Sequence, residues 1–346
     1  MTAHCGKTGH ASLNRFFDFT AAINPLGPSR KVKQVLRKSI KTLGTFPDNG
    51  IRFLKTYVSR QEAIPEESII FGHGSTFLLH MLIHMLTPER VLVVTPLSRK
   101  RAEIFEQTSS TLSAFPLSQE NGYLFDTKKF LTAFSTADLI YLSNPHDITG
   151  ALIPPEEMEY VIEASEKENK RLIIDEAYGE FVGMESPVSR VVASRNAFII
   201  RTFSTFHGLP GLRAGYIIGP PQHIEIMNTC IIPPRLHTLA YKGAIVSLKD
   251  EGFRRRTKEF IETEKAYMIR KLSHIGGVKV FNTPCNFLLL TVDKQYGSLH
   301  EKLFNKCILT EEYDGGEGTY LMRVPIKLHK ANARFVKALK SIFEDQ

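Results

Sequence analysis

The chain is poor in cysteine, has no long apolar run and carries no dense block of one charge sign, and each shortage removes a class of protein. Cys5, Cys230, Cys285 and Cys307 lie far apart with no CxxC pair. That pattern encodes neither a disulfide framework nor a zinc scaffold, and it predicts a reducing compartment. The longest apolar stretch, Phe77 to Leu86, is interrupted by His80 and His84; it is too short to span a bilayer, so no membrane contact is expected. With His73 those histidines fall short of a metal site, because the third lies in a loop and no HExxH carboxylate is present. Forty-four Lys and Arg against 36 Asp and Glu give a net charge of +8. The excess is scattered, with Arg99-Lys100-Arg101 and Arg254-Arg255-Arg256 as its densest runs, which favours small anions over nucleic acid. The first residues, MTAHCGKTGHASLNRFFDF, are polar and predict neither a secretory signal nor a targeting helix, so a cytoplasmic location is expected.

What is present is an alternation of short apolar runs with helix-length segments. SIIF (68–71), VLVVTP (91–96), DLIYLSNP (138–145), RLIIDEAY (171–178), NAFIIRTFS (196–204) and GYIIG (215–219) read as strands. Segments such as 75–87 and 154–169 read as the helices between them, and the spacing predicts βαβ units around a mostly parallel sheet. Pro154-Pro155 followed by Glu156-Glu157 is a good helix start, since a proline there loses no needed bond and acids suit the helix dipole. A long helical stretch is predicted over 236–275. From 276 the order strand, helix, strand, helix predicts a small α+β domain. The expected division is therefore an N-terminal arm (1–50) packing on the small domain or on a partner subunit, a large α/β domain (51–235), a connecting helix (236–275) and a small domain (276–346).

Polar residues gather at the carboxyl ends of the predicted strands, where open α/β sheets bind ligands. Gly72-His73-Gly74-Ser75-Thr76 follows a strand and opens a helix, so its N–H groups and hydroxyls suit a phosphate, or form a simple turn. Asp175 ends an apolar strand and needs a cation there; either a bound cationic group or a Lys or Arg of the chain would serve. Ser204 and Arg213 flank the turn after NAFIIRTF, where the guanidinium could share a phosphate or pair with a neighbouring helix.

In this order, FDFTAAINPLGP (17–28), FGHGSTFLLHML (71–82), YLSNPHDITGALIP (141–154), LIIDEAYGEF (172–181), RTFSTFHGLPGLRAGY (201–216), PCNFLLL (284–290) and LMRVPI (321–326) resemble the fold type I pyridoxal-phosphate enzymes. The resemblance is to the histidinol-phosphate aminotransferase and threonine-phosphate decarboxylase group, and it spans nearly the whole chain. It implies an α/β fold type I transferase, with a mostly parallel central sheet, helices on both faces and a small C-terminal α+β domain. It also implies pyridoxal phosphate as cofactor, held by a phosphate cup of Gly74, Ser75, Thr76, Ser204 and Arg213. Asp175 would face the pyridinium nitrogen and Tyr178 the ring hydroxyl. Asn24 and Arg323 would contact substrate, Arg323 clamping its α-carboxylate.

The same resemblance exposes departures. The family's Schiff-base lysine falls at Thr205, whose hydroxyl cannot form an imine, so any cofactor would be held non-covalently and ordinary transamination is not expected. The asparagine that bonds the ring hydroxyl falls at Asp147, the ring-stacking aromatic at Arg101, a partner-donated tyrosine at Phe46 and a second substrate arginine at Thr310. His207, two residues past Thr205, is the nearest substitute acid or base, or else packs under the turn. Three readings follow: a restricted reaction on an amino acid or phospho-amino acid; an inactive homologue acting as subunit, scaffold or ligand sensor; and a pocket rebuilt around Arg99, Lys100, Arg101 and Asp147 for another anion. The resemblance implies a homodimer, or a heterodimer with a lysine-containing homologue.

Overall fold

Five runs of Ile, Leu, Val and Phe are buried along their whole length, as strands covered on both faces must be, and they form the centre of a seven-stranded sheet. The computed structural model describes residues 16–47, 50–108, 110–183, 185–231, 235–316 and 318–344; His4, Cys5, His10 and the prolines 233–234 lie outside these. The sheet's strands are β1 (Ile69–Gly72), β2 (Arg90–Thr95), β3 (Thr111–Pro116), β4 (Leu139–Ser143), β5 (Arg171–Asp175), β6 (Ala197–Thr202) and β7 (Gly215–Ile218). Their spatial order is β1-β7-β6-β5-β4-β2-β3. Every pair from β6 to β3 is parallel, and β7 runs antiparallel to both β1 and β6.

The strand at Thr111–Pro116 is absent from the sequence reading. It is the sheet's edge, its side chains alternate between exposed and half-buried, and it lacks the apolar run that marks the inner strands. The helical stretch predicted over 236–275 is two helices, Thr238–Leu248 and Glu251–Leu272. Asp250 makes the break. Its residue type favours helix starts, its carboxylate is buried against Lys31 at 3.0 Å, and its carbonyl accepts the first bonds of the second helix from Phe253 and Arg254. The helix Pro155–Lys167 starts at the double proline as read, with Glu156 and Glu157 in its first turn.

The chain divides into two compact units. The larger comprises Ile23–Glu262 with Thr283–Asn286, and the smaller takes the described residues of Met1–Ala22, Thr263–Asn282 and Phe287–Gln346. The smaller unit holds an antiparallel sheet of β8 (Val278–Asn282), β9 (Phe287–Asp293), β10 (Glu312–Asp314) and β11 (Thr319–Pro325), in the order β10-β11-β9-β8. Phe17–Asp18 pairs in parallel with Ile308–Leu309. In the larger unit, Arg30–Ser39, part of the segment expected as an arm, packs against Thr238–Leu248.

One cluster on the large sheet joins Leu78, Leu79, Leu82 and Ile83 of the helix Ser75–Leu86 to Val91, Val93, Leu139, Tyr141, Ile173 and Ile200. Ile173 is fully buried in it, on the strand that ends at Asp175. Ile173→Ala is expected to cost about 2–5 kcal/mol of unfolding free energy, transfer and cavity terms together; urea denaturation followed by circular dichroism checks it.

Candidate functional site

Register brings the carboxyl ends of the parallel strands together. Ser143 of β4 lies opposite Asp175 of β5, and Thr202 of β6 and Gly72 of β1 both lie opposite Gly215. The loops leaving these ends carry most of the residues singled out in the sequence. They form two halves, one around the Arg213 guanidinium and one around a buried carboxylate.

The anion half is the N-terminus of the helix Ser75–Leu86. Gly74 sits at φ +87°, a conformation that favours glycine, and a Cβ there would lie 2.8 Å from Arg213 Nη2. A Cβ on Gly215 would lie 2.8 Å from the Ser75 nitrogen. Both glycines are therefore fixed by close approach. Arg213 itself is in the left-handed region at φ 48°, rare for a residue with a side chain, and this conformation accompanies the seating of its guanidinium over Gly74. Arg213 is exposed, and its guanidinium has no hydrogen-bond or ion-pair partner among the described residues. Ser75 is buried, Thr76 and Ser204 are half-buried, and the Ser204 N–H donates to Thr202 Oγ1 at 3.1 Å. A guanidinium with no partner among the described residues, set at a helix N-terminus, suits an anion.

The carboxylate half is closed. Asp175 is only 2% exposed, and its Oδ2 accepts from Arg101 Nη2 and from the Tyr141 hydroxyl, the latter at 2.8 Å. Its Oδ1 accepts the Ala177 N–H at 3.1 Å. The cation that Asp175 requires is thus a residue of the chain. Arg101 belongs to the helix Arg99–Glu106, whose buried residues are Arg101, Ile104 and Phe105. Burial alone would lower the Arg101 proton affinity, but Asp175, with Tyr141, Asp147 and Tyr178 nearby, raises it and keeps the guanidinium charged. Burial pushes the Tyr141 hydroxyl well up, so it stays a neutral donor.

Tyr178 is buried and stacks on Phe181 with 6.3 Å between ring centroids. Asp147 is half-buried, and its N–H donates to Ser143 Oγ at 3.2 Å. Thr205 donates its hydroxyl to the Ala177 carbonyl. Asn24, expected toward substrate, is 3% exposed with both amide atoms engaged: Nδ2 donates to the Phe206 carbonyl and to Thr257, and Oδ1 accepts from Leu26 N–H. Its own N–H donates to the Thr205 carbonyl at 2.9 Å, so it holds the turn that carries Thr205. His207 lies between Phe203 and Phe206 and meets Glu180 Oε1 at 2.8 Å; Arg254 holds Glu180 Oε2 at 2.5 Å. Arg323 belongs to the smaller unit, where it donates to the Thr20 carbonyl at 2.7 Å and to Glu311 at 3.2 Å.

The sequence reading missed the Arg101–Tyr141–Asp175 cluster, although two signals for it were present. Arg101 shares the i, i+3, i+4 face of Ile104 and Phe105, and Tyr141 places a hydroxyl inside an apolar strand, where it needs a partner. It also missed Asn286, fully buried with neither amide atom hydrogen-bonded among the described residues.

Tested against pyridoxal phosphate, the two halves disagree. The Arg213 guanidinium at the helix N-terminus is compatible with the phosphate. The ring half does not suit the pyridinium, because Asp175 is already neutralised by a buried guanidinium that would repel a second cation.

Arg101→Met is expected to destabilise the protein by about 3–5 kcal/mol, since it leaves a buried carboxylate unpaired, and Arg101→Met/Asp175→Asn should recover most of that loss. Urea denaturation of the wild type and both variants measures it. Burial raises the Glu180 pKa, but His207, Arg254 and Arg201 outweigh it and hold the carboxyl at about 2. A depressed folded-state value contributes stability above the unfolded pKa and loses it as pH falls through the folded one. The stability gap between wild type and Glu180→Gln should therefore narrow as pH falls from about 5 toward 2, as a pH series of denaturation curves would show.

Residues 28–314 match the profile of aminotransferase class I and II. The histidinol-phosphate aminotransferase of Methanosphaera stadtmanae is 28% identical over 330 residues, 93% of this chain and 89% of that protein. The threonine-phosphate decarboxylase of Salmonella typhimurium is 25% identical over 353 residues, 99% of this chain and 96% of that protein. Among solved structures, the histidinol-phosphate aminotransferase of Clostridium acetobutylicum superimposes with a TM-score of 0.86 at 25% identity, over 95% of this chain and all of that one. That of Sinorhizobium meliloti, solved with pyridoxal 5'-phosphate, gives 0.87 at 19% identity, over 99% of this chain and 96% of that one. By its profile and by relatives that cover nearly its full length, this chain belongs to the aminotransferase class I and II family.

Proposed function

We propose that this protein binds a phosphorylated amino acid or amine through the cup of Gly74, Ser75, Thr76, Ser204 and Arg213, without the family's carbonyl chemistry, and acts as a ligand sensor or inactive subunit. The observation that carries this reading is the Arg101–Asp175 ion pair. It fills, from within the chain, the electrostatic role that the family resemblance gives to a cofactor ring, while the anion site beside it keeps a free guanidinium. Thr205, at the position of the family's lysine, supports the same conclusion from the covalent side. Two of the relatives are named for histidinol phosphate and threonine phosphate; both compounds pair a phosphate with an amine, and that chemistry suits the cup.

Ile40, Leu43, Phe46 and Phe53 are more than half exposed, with Phe46 at 93%. Large apolar side chains held in water at this density mark an interaction face, and a second copy of the chain is the occupant we assign to it. Phe46→Asp/Phe53→Asp should then shift sedimentation from dimer to monomer.

Calorimetric titration with O-phosphothreonine and histidinol phosphate tests the ligand assignment. Saturable binding to the wild type, weakened at least about tenfold in Arg213→Ala, which corresponds to about 1.4 kcal/mol, is expected. Equal binding by the variant, or turnover of either compound, would contradict it.

A further inference from the structure

A second cavity in the larger unit, of about 320 Å³, is lined by Tyr57, Gln61, Ser186, Arg254 and Lys258, together with carboxylates of the helix Ile51–Glu62 and of the segment 176–185. It could hold about ten waters' volume of ligand. Most of its charges are spoken for. Arg201 lies between Glu62 at 2.6 Å and Glu176 at 2.8 Å, and Arg254 holds Glu180. Lys258, one turn after Arg254 on the same helix face, is the one cation of the lining left over. Its amine is half-buried, has no hydrogen-bond or ion-pair partner among the described residues, and would lie 2.6 Å from a Cβ on Gly183.

We propose that this cavity binds a small, uncharged, hydroxylated aldehyde or ketone and that Lys258 is its imine-forming amine. A lysine amine becomes nucleophilic when it is desolvated or set beside another cation, and Lys258 has both conditions. Burial lowers its proton affinity and Arg254 lowers it further, against a smaller opposing pull from Glu180. In the reaction the amine nitrogen forms a bond to the carbonyl carbon. The carbonyl oxygen then leaves as water, carrying both hydrogens of the neutral amine, so that no other reactant is consumed. The lining argues for an uncharged ligand: Glu185 and Glu251 are exposed and have no partner among the described residues, so an anion would meet unpaired carboxylates there. Ser186, Gln61 and Tyr57 supply hydrogen-bonding groups for hydroxyls.

The test is borohydride trapping on the full chain at neutral pH with glycolaldehyde and, separately, glyoxylate, followed by peptide mapping. The labelling rate of Lys258 is compared with those of the exposed Lys33 and Lys41. With glycolaldehyde, Lys258 should label several-fold faster than these, and its rate should saturate with aldehyde concentration. The advantage over Lys33 and Lys41 should be smaller with glyoxylate. Arg254→Met should reduce the Lys258 rate several-fold while leaving Lys33 and Lys41 unchanged, with circular dichroism checking the fold. A Lys258 rate equal to that of the exposed lysines and linear in aldehyde would overturn the site. A larger Lys258 advantage with glyoxylate would overturn the ligand class.

Discussion

A carboxylate at the end of a buried strand must find a positive charge, and here Asp175 finds Arg101. That single ion pair decides how the carboxyl ends of the sheet can be used. Removing two charges from water is costly, and it is tolerated only when the remaining hydrogen-bond capacity is filled. The Tyr141 hydroxyl and the Ala177 N–H do this, so the cluster is complete without any bound molecule. The sheet supplies the geometry: β4 and β5 run parallel with Ser143 opposite Asp175, which places Tyr141 on the adjacent strand, while the helix after β2 carries Arg101 inward on an otherwise apolar face.

The contrast within one constellation defines the molecule. On one side Arg213 stands free above Gly74, at the start of a helix; on the other Arg101 is locked onto Asp175. The two arginines carry the same charge, and what distinguishes them is whether the chain supplies the counter-ion. Thr205 fits the locked side, because its hydroxyl is turned to the Ala177 carbonyl and its backbone is pinned by Asn24. His207 is likewise committed to Glu180 and through it to Arg254.

Much of the fold was legible because the inner strands are continuous apolar runs, a pattern that survives any tertiary context. The edge strand at Thr111–Pro116 was not, since half-exposed residues such as Ser113 and Ala114 carry little periodic signal. Nor was the break at Asp250, where one buried acid paired with Lys31 ends what reads as a continuous helical stretch. The turn of Gly74, Ser75 and Thr76 could be picked out from its loop sequence, because glycines and hydroxyls at a strand-to-helix turn have a local logic. The partner of Asp175 could not be ranked in the same way. A cation was required, yet its source, 74 residues earlier in the chain, depends on the packing of the helix Arg99–Glu106 against β4 and β5. The engagement of Asn24 beneath Thr205, similarly, rests on contacts with Phe206 and Thr257 that no local pattern encodes.

The central claim is that Arg101 satisfies Asp175 in place of a cofactor ring. Titrating pyridoxal phosphate into Thr205→Lys and into Thr205→Lys/Arg101→Phe, with imine absorbance and a borohydride-trapped mass at position 205 as readouts, tests it most directly. The account predicts that the double variant binds at least about tenfold more tightly than the single one, a difference of about 1.4 kcal/mol, because only the double variant frees the carboxylate. Equal affinity in the two variants would contradict it.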